Sequence, residues 1–411
     1  MCENSEKFFR RSMAPAFFTA LVVSLVVTLH PGSGMGDQET TSKQLVTSSN
    51  RPIRDRCAMV LTIGQTQGDL RGRDDKVIHA GIEYLNRVGG GALHILPGVY
   101  NLRNAIYLRP NITMRGSGEK TILRKADSVV TALTKDSDWF EYDVRVEDAS
   151  GFTPGGGIML RSKKGEGDWQ YDVRSATVTA INGDIIFLDR LTKENFCIEK
   201  NASAATIFPI ITAENVDDVV VEDIVLEGNR DKNEHINGNF AGAVFIQHCN
   251  RWLFKNVIAT NYNGDGFSFQ ACDDIEFRDC KAIDNSDLGF HPGSGSQRPV
   301  FRSCAARGNG QGIFFCWGVC GGTVENCILS ENTRYGVSIG HRDTDNVIRR
   351  CRIERNGEVG ILFRGEGSEF RSGHRNQIED CIVRDNGTQQ SGIGIDIQGK
   401  TQDISVRNTR L

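Results

Sequence analysis

The sequence predicts an all-β chain wound as a solenoid, and three observations predict it. Five cysteines, Cys280, Cys304, Cys327, Cys351 and Cys381, recur 24, 23, 24 and 30 residues apart, and Asn256 and Asn408 extend the row at its two ends. A second row, Asn261, Asn285, Asn309, Asn332, Asn356 and Asn386, follows the first six members five residues later. A glycine then closes each unit: Gly266, Gly289, Gly312, Gly336, Gly360 and Gly394. A chain that repeats itself every ~20–50 residues stacks one structural unit on the next. The stretches between the markers alternate as strands do and show no helical period.

Length and composition agree with this. A chain of 411 residues exceeds an ordinary globular domain, but a solenoid grows lengthwise and escapes that limit. Forty-five glycines against nine prolines suit many tight turns of positive φ. A net charge of −4 and the absence of basic runs argue against nucleic acid as a partner.

Residues 1–36 read as a secretory signal. Lys7, Arg10 and Arg11 precede an apolar run from Met13 to Leu29, and small residues follow from Gly32 to Gly36. About 16 apolar residues fall short of the ~20 that span a bilayer. A secreted or periplasmic protein, with no membrane attachment after cleavage, is therefore expected. Residues 37–60 are a polar linker. Of the twelve cysteines, Cys2 leaves with the signal, and the five in register are expected to stack as buried reduced thiols. They lack the paired spacing of a zinc site.

The folded part opens at residue 61. Asp74-Asp75 to Val88 places Val77, Ile78, Ile82, Tyr84 and Leu85 at helical spacing and predicts a short amphipathic helix. Three brief strands follow it, at Ala92–Tyr100, Ile106–Leu108 and Ile112–Gly118. The run DDKVIHAGIEYLNRVGGGALHILPGVYNLRNAIYLRPNITMRGSG resembles the opening of pectate-lyase-like proteins. That resemblance implies a right-handed parallel β-helix whose first coils, in residues 61–126, are covered by a capping helix. Residues 127–206 lose the repeat. Val144–Val146, Gly157–Leu160 and an Asn182-Gly183-Asp184 hairpin predict a small antiparallel insertion. Trp139 and Trp169 lie within it and are expected to fill its core, with a sugar-binding wall as the alternative. The coils resume at 207 and run to Leu411 with no evident cap, so the last coils are expected either to fray or to be covered by a further copy in a homo-oligomer.

Aligned on their glycines, the coils place Phe267, Phe269, Ile313, Phe315, Val337, Ile339, Ile361 and Phe363 in the core. The alternate row, Phe245, Ser268, His291, Phe314, Ser338, Leu362 and Asp396, is expected on the outer face. Around it gather the candidate catalytic residues Asp265, His291, His341, Arg342, Asp343 and Arg364. Gln270, Asp287, Trp317, Glu366, His374 and Arg375 are candidate substrate contacts. Arginine forks suit carboxylates, and an exposed tryptophan suits a sugar ring. The acids offer oxygen ligands for Ca²⁺, without a loop spacing that specifies it.

Asn263-Gly264-Asp265-Gly266 is similar to the Asn-x-Asp-Gly segment of polygalacturonase-type hydrolases, and Gly336–His341 is similar to a later segment of theirs. The chain departs from them at Tyr335, where they carry histidine, and at Asp287-Leu288-Gly289, where they carry adjacent aspartates. Their mechanism is not carried over. The substrate expected is an extracellular polysaccharide, uronate-containing if the arginines meet its carboxylates. Three functions remain open. In β-elimination, His291 or His341 is the base and Arg342 and Arg364 are the neutralising cations. In hydrolysis, paired carboxylates such as Asp265 with Asp287, or Asp343 with Glu366, do the work. A glycan-binding or adhesion solenoid would show no turnover.

Overall fold

The computed structural model describes residues 59–387 and 392–411. The expected signal, most of the linker and Cys2 lie outside the described residues. Of the rest, all but the insertion and one capping helix is built on a coil of parallel strands.

Each full coil contributes three strands. One of the three faces is a nine-stranded sheet, in which β1 (Ile106–Tyr107), β2 (Ile211–Glu214), β3 (Gly242–Gln247), β4 (Asp265–Gln270), β5 (Leu288–Pro292), β6 (Gln311–Phe314), β7 (Tyr335–Ile339), β8 (Val359–Phe363) and β9 (Ile393–Ile397) lie side by side in chain order. Their register is one coil per step: Val244 faces Phe267, then Phe290, Ile313, Val337, Ile361 and Ile395. The alternation that the sequence assigned to the core is found there, with Phe267, Ile313, Val337 and Ile361 all fully buried. Phenylalanines stack along the axis behind this sheet: Phe254 on Phe277 at 4.9 Å and Phe277 on Phe301 at 5.2 Å between ring centroids. The other two strands of each coil, such as Glu276–Arg278 and Lys281–Ile283, belong to a second, longer sheet.

The turns that bracket Lys281–Ile283 explain the two repeat rows. In successive coils the residues before the cysteine and before the asparagine sit at positive φ: Asp279 and Asp284, Ser303 and Gly308, Asn326 and Glu331, Arg350 and Arg355, Asp380 and Asp385. Asn256 and Asn261 have positive φ as well, and so does Asn408. The sequence alignment therefore slips by one at these three residues. Val257 pairs with Ile224 one coil before and is followed by Ile258 opposite Lys281, which puts Val257, not Asn256, in the cysteine row. Likewise the Tyr262 amide bonds to Asn285 Oδ1, and the Cys381 amide faces Thr409. Asparagine tolerates the left-handed region better than most residues, so it occupies the turn corner as readily as the ladder.

Both ladders are buried. Asn309 Nδ2 donates to Asn332 Oδ1, and Asn332 Nδ2 to Asn356 Oδ1, while each side-chain oxygen also accepts the preceding coil's amide. The cysteines are free thiols pointing at carbonyls: Cys327 Sγ lies 3.3 Å from Glu325 O and 3.5 Å from Phe301 O.

A helix, α1 (Asp75–Arg87), covers the first coils with Ile78, Ile82 and Leu85 fully buried, and Asp74 caps it by accepting the Lys76 amide. The insertion is a separate six-stranded antiparallel sheet with its own core around Ile158, Leu160, Val178 and Phe196. Its Asn182–Ile185 hairpin turns on Gly183 at φ +62°. Trp139 and Trp169 do not fill that core; they are 58% and 59% exposed.

Candidate active site

The outer row of the nine-stranded sheet is not open to solvent along its length. Ser268, His291, Ser338 and Leu362 are all buried, which corrects the expectation of an exposed face. Over Ser338 lies the Arg364 side chain, and over Ser268 lies a segment that precedes β3. The coil joining Thr212 to Phe245 takes 33 residues, against 23 from Ser268 to His291. The extra length folds over the sheet as residues 228–241. Buried Lys125, which also donates to Thr206 O, reaches it through Asn233 Oδ1, and Ile236 N donates to Asn263 O at 3.0 Å. Ser268 Oγ donates to Gly238 O at 2.7 Å. Only glycine permits that approach, because a Cβ at Gly238 would fall 1.7 Å from Asp265 Oδ2.

Beneath Gly238 lies a closed ion pair. Asp265 is fully buried and His291 is 3% exposed; His291 Nδ1 donates to Asp265 Oδ2 at 2.7 Å, and the Leu288 amide donates to Asp265 Oδ1. Burial raises the Asp265 carboxyl above its usual range. Burial works against the His291 imidazolium too, but Asp265 outweighs it and lifts the imidazole to about 10, with the Cys316 thiol also acting on the ring. His291 Nε2 has no hydrogen-bond partner among the described residues, and the ring packs edge-on against Phe314. The pair holds a proton through neutral pH and has no direct path to a sugar.

Above and beside it stands a second pair that does reach solvent. Asp287, at the start of the next coil, accepts a 2.8 Å hydrogen bond from His235 Nε2, with side chains 26% and 44% exposed respectively. His235 is raised, first by that bond, against the effect of burial, and also by the charges of Asp168 and Asp265. Asp168, from the insertion, completes the group: ligand atoms of Asp168, His235 and Asp287 all lie within 4.8 Å of one another. Asn237 Nδ2 holds Asp168 Oδ2 at 3.2 Å. Sequence reasoning found Asp287 but missed His235 and Asp168. The signal available was the ten-residue lengthening of one coil; nothing in the insertion marked Asp168.

The remaining candidates form another cluster, two coils on. Arg364 donates to Ser338 Oγ and Phe315 O, both at 2.8 Å, pairs with Asp343 at 3.2 Å and lies over the Phe314 ring. Asp343 is fully buried and also accepts the amides of Gly318, Val319 and Gly340. Burial pushes its carboxyl up to about 6 despite these donors. His341 stacks on Trp317 at 3.9 Å, accepts a contact from Arg371 and lies 3.4 Å from Glu366; burial lowers its imidazole. Trp317 remains half exposed at the edge, and Arg342 is exposed over Phe370. His374 bonds Glu369 O and accepts the Gln402 amide, while Arg375 clasps Asp345 with two 2.7 Å bonds. Gln270 accepts the Ser294 amide, beside Ser268. The structure thus separates Asp265, His291 and Asp287 from Asp343, Arg364, His341, Glu366 and Arg342, and engages most of the latter in holding turns.

As a cation site the Asp168–His235–Asp287 group offers two carboxylates and an imidazole. Ca²⁺ takes 6–8 oxygens and disfavours nitrogen, so this donor set fits Ca²⁺ poorly; it resembles the mixed sets of transition metals more.

A family described as the right handed beta helix region matches residues 164–318 and 242–411. The chain belongs to that family. One solved structure agrees with the fold, and two further likenesses stand beside it. The Dettilon tailspike protein (gp208) aligns over 78% of this chain and 50% of its own, at 9% identity and a TM-score of 0.50. The A-module of mannuronan C-5 epimerase AlgE4 of Azotobacter vinelandii aligns over 85% of this chain and 97% of its own, at 14% identity and a TM-score of 0.49. In sequence, a capsule K1-specific depolymerase of Klebsiella phage K64-1 is 20% identical over 261 residues, 59% of this chain. The chain spans 28% of the length of that relative. Among the described residues no helix is long and apolar enough to cross a membrane.

Proposed function

We propose that this β-helix cleaves a polysaccharide, with Asp168 and Asp287 as its working carboxylates and His235 as the group that orients Asp287. The observation that carries the reading is the convergence of Asp168, His235 and Asp287, from three separate segments, at a point open to solvent and within 4.8 Å. A depolymerase among its relatives by sequence supports a glycan as the substrate.

In this reading Asp168 has the role of general acid towards the departing glycosidic oxygen. Asp287, oriented by the His235 N–H, attacks the anomeric carbon, and water then releases the sugar with Asp168 as base. Retaining pairs stand about 5–5.5 Å apart and inverting pairs ~6.5–9.5 Å; the close approach of Asp168 and Asp287 supports retention. One observation favours a second reading. His235 Nδ1 has no partner among the described residues, so the imidazole is free to take a proton α to a uronate carboxylate in β-elimination.

The test is purified protein incubated with acidic and neutral glycans, with reducing ends and ultraviolet absorbance recorded together. Reducing ends alone support hydrolysis. Absorbance rising with them shows an unsaturated product and moves the assignment to β-elimination. Binding with neither signal makes the protein a glycan-binding solenoid and refutes both readings.

A further inference from the structure

On the other side of the 228–241 segment the insertion and the sheet enclose a groove of about 520 Å³. Tyr107, Phe240 and Phe245 form aromatic walls, and Arg174, Arg190 and Gln247 line it between them. The groove adjoins the proposed cleavage site through shared parts. Phe245 and Gln247 pair in register with Ser268 and Gln270 of the next strand. Asn239 and Phe240 follow Gly238, the residue that closes over Asp265. The same segment that positions His235 thus also forms a wall of the groove.

The two arginines are not equivalent. Arg190 is clasped by its neighbour Asp189 through three contacts of 2.9–3.2 Å. Arg174 uses only Nε, donating to Leu191 O at 2.8 Å, and its two terminal nitrogens have no acceptor among the described residues. It is half-buried, and burial, followed by the charge of Arg190, pushes its guanidinium below the usual arginine range. The acid nearest in the groove, Glu214, is exposed at its rim and makes no ion pair with either arginine among the described residues. A guanidinium with a free planar edge, crowded by a second cation and flanked by aromatic rings, lacks an anion that would bring two oxygens in one plane.

We infer that this groove is a subsite for one carboxylate-bearing sugar unit of the polysaccharide, its carboxylate received by the free edge of Arg174 and its ring seated against Phe240 and Tyr107. The inference rests on the reading of the protein as polysaccharide-active and names an acidic glycan as the class. It places the acidic unit on the insertion side of the cleavage site, away from Arg342 and Arg364.

The experiment measures binding and cleavage separately. Polygalacturonate, alginate and hyaluronan, each beside its carboxyl-reduced form, are titrated calorimetrically into the native protein, Arg174→Gln and Arg174→Lys, with thermal midpoints recorded for all three. The expected result is that at least one glycan binds ten-fold or more tightly than its reduced form, that Arg174→Gln abolishes the difference, and that Arg174→Lys, which keeps the charge but not the fork, retains part of it. If Arg174→Gln does not fold, the lysine variant and the reduced glycans still decide. Binding indifferent to carboxyl reduction, undiminished in both variants, or absent for all three glycans overturns the inference. Carboxylate-dependent binding without any cleavage leaves the subsite standing and removes the cleavage reading. Cleavage indifferent to carboxyl reduction does the reverse.

Discussion

At the scale of single residues the two histidine–aspartate pairs differ mainly in what covers them. Asp265–His291 lies under Gly238 and acts on the fold; Asp287–His235 faces solvent. Asp287→Asn and Asp168→Asn are therefore each expected to lower kcat on the glycan by about 10²–10⁴-fold while shifting the thermal midpoint little. His291→Asn is expected to cost about 3–5 kcal/mol of stability, because it strands a buried carboxylate; unfolding in urea measures it. Added Ca²⁺ is expected to leave activity unchanged, given the poor fit of the donors to Ca²⁺, and activation by Ca²⁺ would overturn that. The buried pair also sets a pH dependence, with an opponent in Lys125. His291 is raised from 6.5 to about 10, so its contribution is complete below about pH 6.5 and is lost as the pH climbs through 10. Lys125 is lowered by burial from 10.5 to about 7, so it penalises the fold at low pH and the penalty fades between pH 7 and 10.5. The two slopes oppose each other over the same window. Thermal midpoints of Lys125→Met should accordingly fall between pH 7 and 10, and those of His291→Asn should rise; equal slopes in the two variants would contradict the assignment.

At the scale of the coil, stability comes from ladders that run across repeats. Asn332 makes bonds in both directions: its oxygen serves Asn309, and its amide serves Ala306 O and Asn356. Asn332→Ala would leave several of these groups buried and unmatched, at a cost on the order of 3 kcal/mol, read from urea unfolding. Substitution at Asn261, a turn corner outside the ladder, should cost much less. This contrast was hidden in the sequence, where Asn261 and Asn285 looked like members of one row. The spacing located the turns to within one residue, but asparagine serves two needs, a left-handed corner and a ladder rung, and only the backbone distinguishes them. The cysteine row was legible for a simpler reason: buried small thiols repeat at one depth of five consecutive coils. Those five thiols are expected to resist labelling in the native protein and to react fully once it is unfolded without reductant.

At the scale of the molecule, a solenoid is stabilised by each coil's neighbours. The middle coils carry the stacked phenylalanines from Phe254 to Phe301, whereas β9 is only half-buried and Val406 is 44% exposed. Hydrogen exchange should therefore start from Ile393–Ile397 and Ser405–Arg407 and reach the Phe267–Phe301 coils last; uniform protection would mean one cooperative unit instead. The insertion is outside this gradient because it has its own core. Its contribution is positional, since it brings Asp168 and Arg174 to a sheet face whose repeats carry neither.

What the sequence determined by itself was the solenoid, its core row, its capping helix and the place where the repeat is interrupted. Those follow from periodicity, which burial on a regular backbone imposes on residue type. What only the tertiary structure decided was which polar residues remain accessible. The lengthened coil before β3 and the insertion have no period, and their side chains meet the sheet across separations such as the 52 residues between His235 and Asp287. Hence the outer row read as a binding face is partly a closed one, and the open chemistry belongs to residues supplied by the two segments that break the repeat.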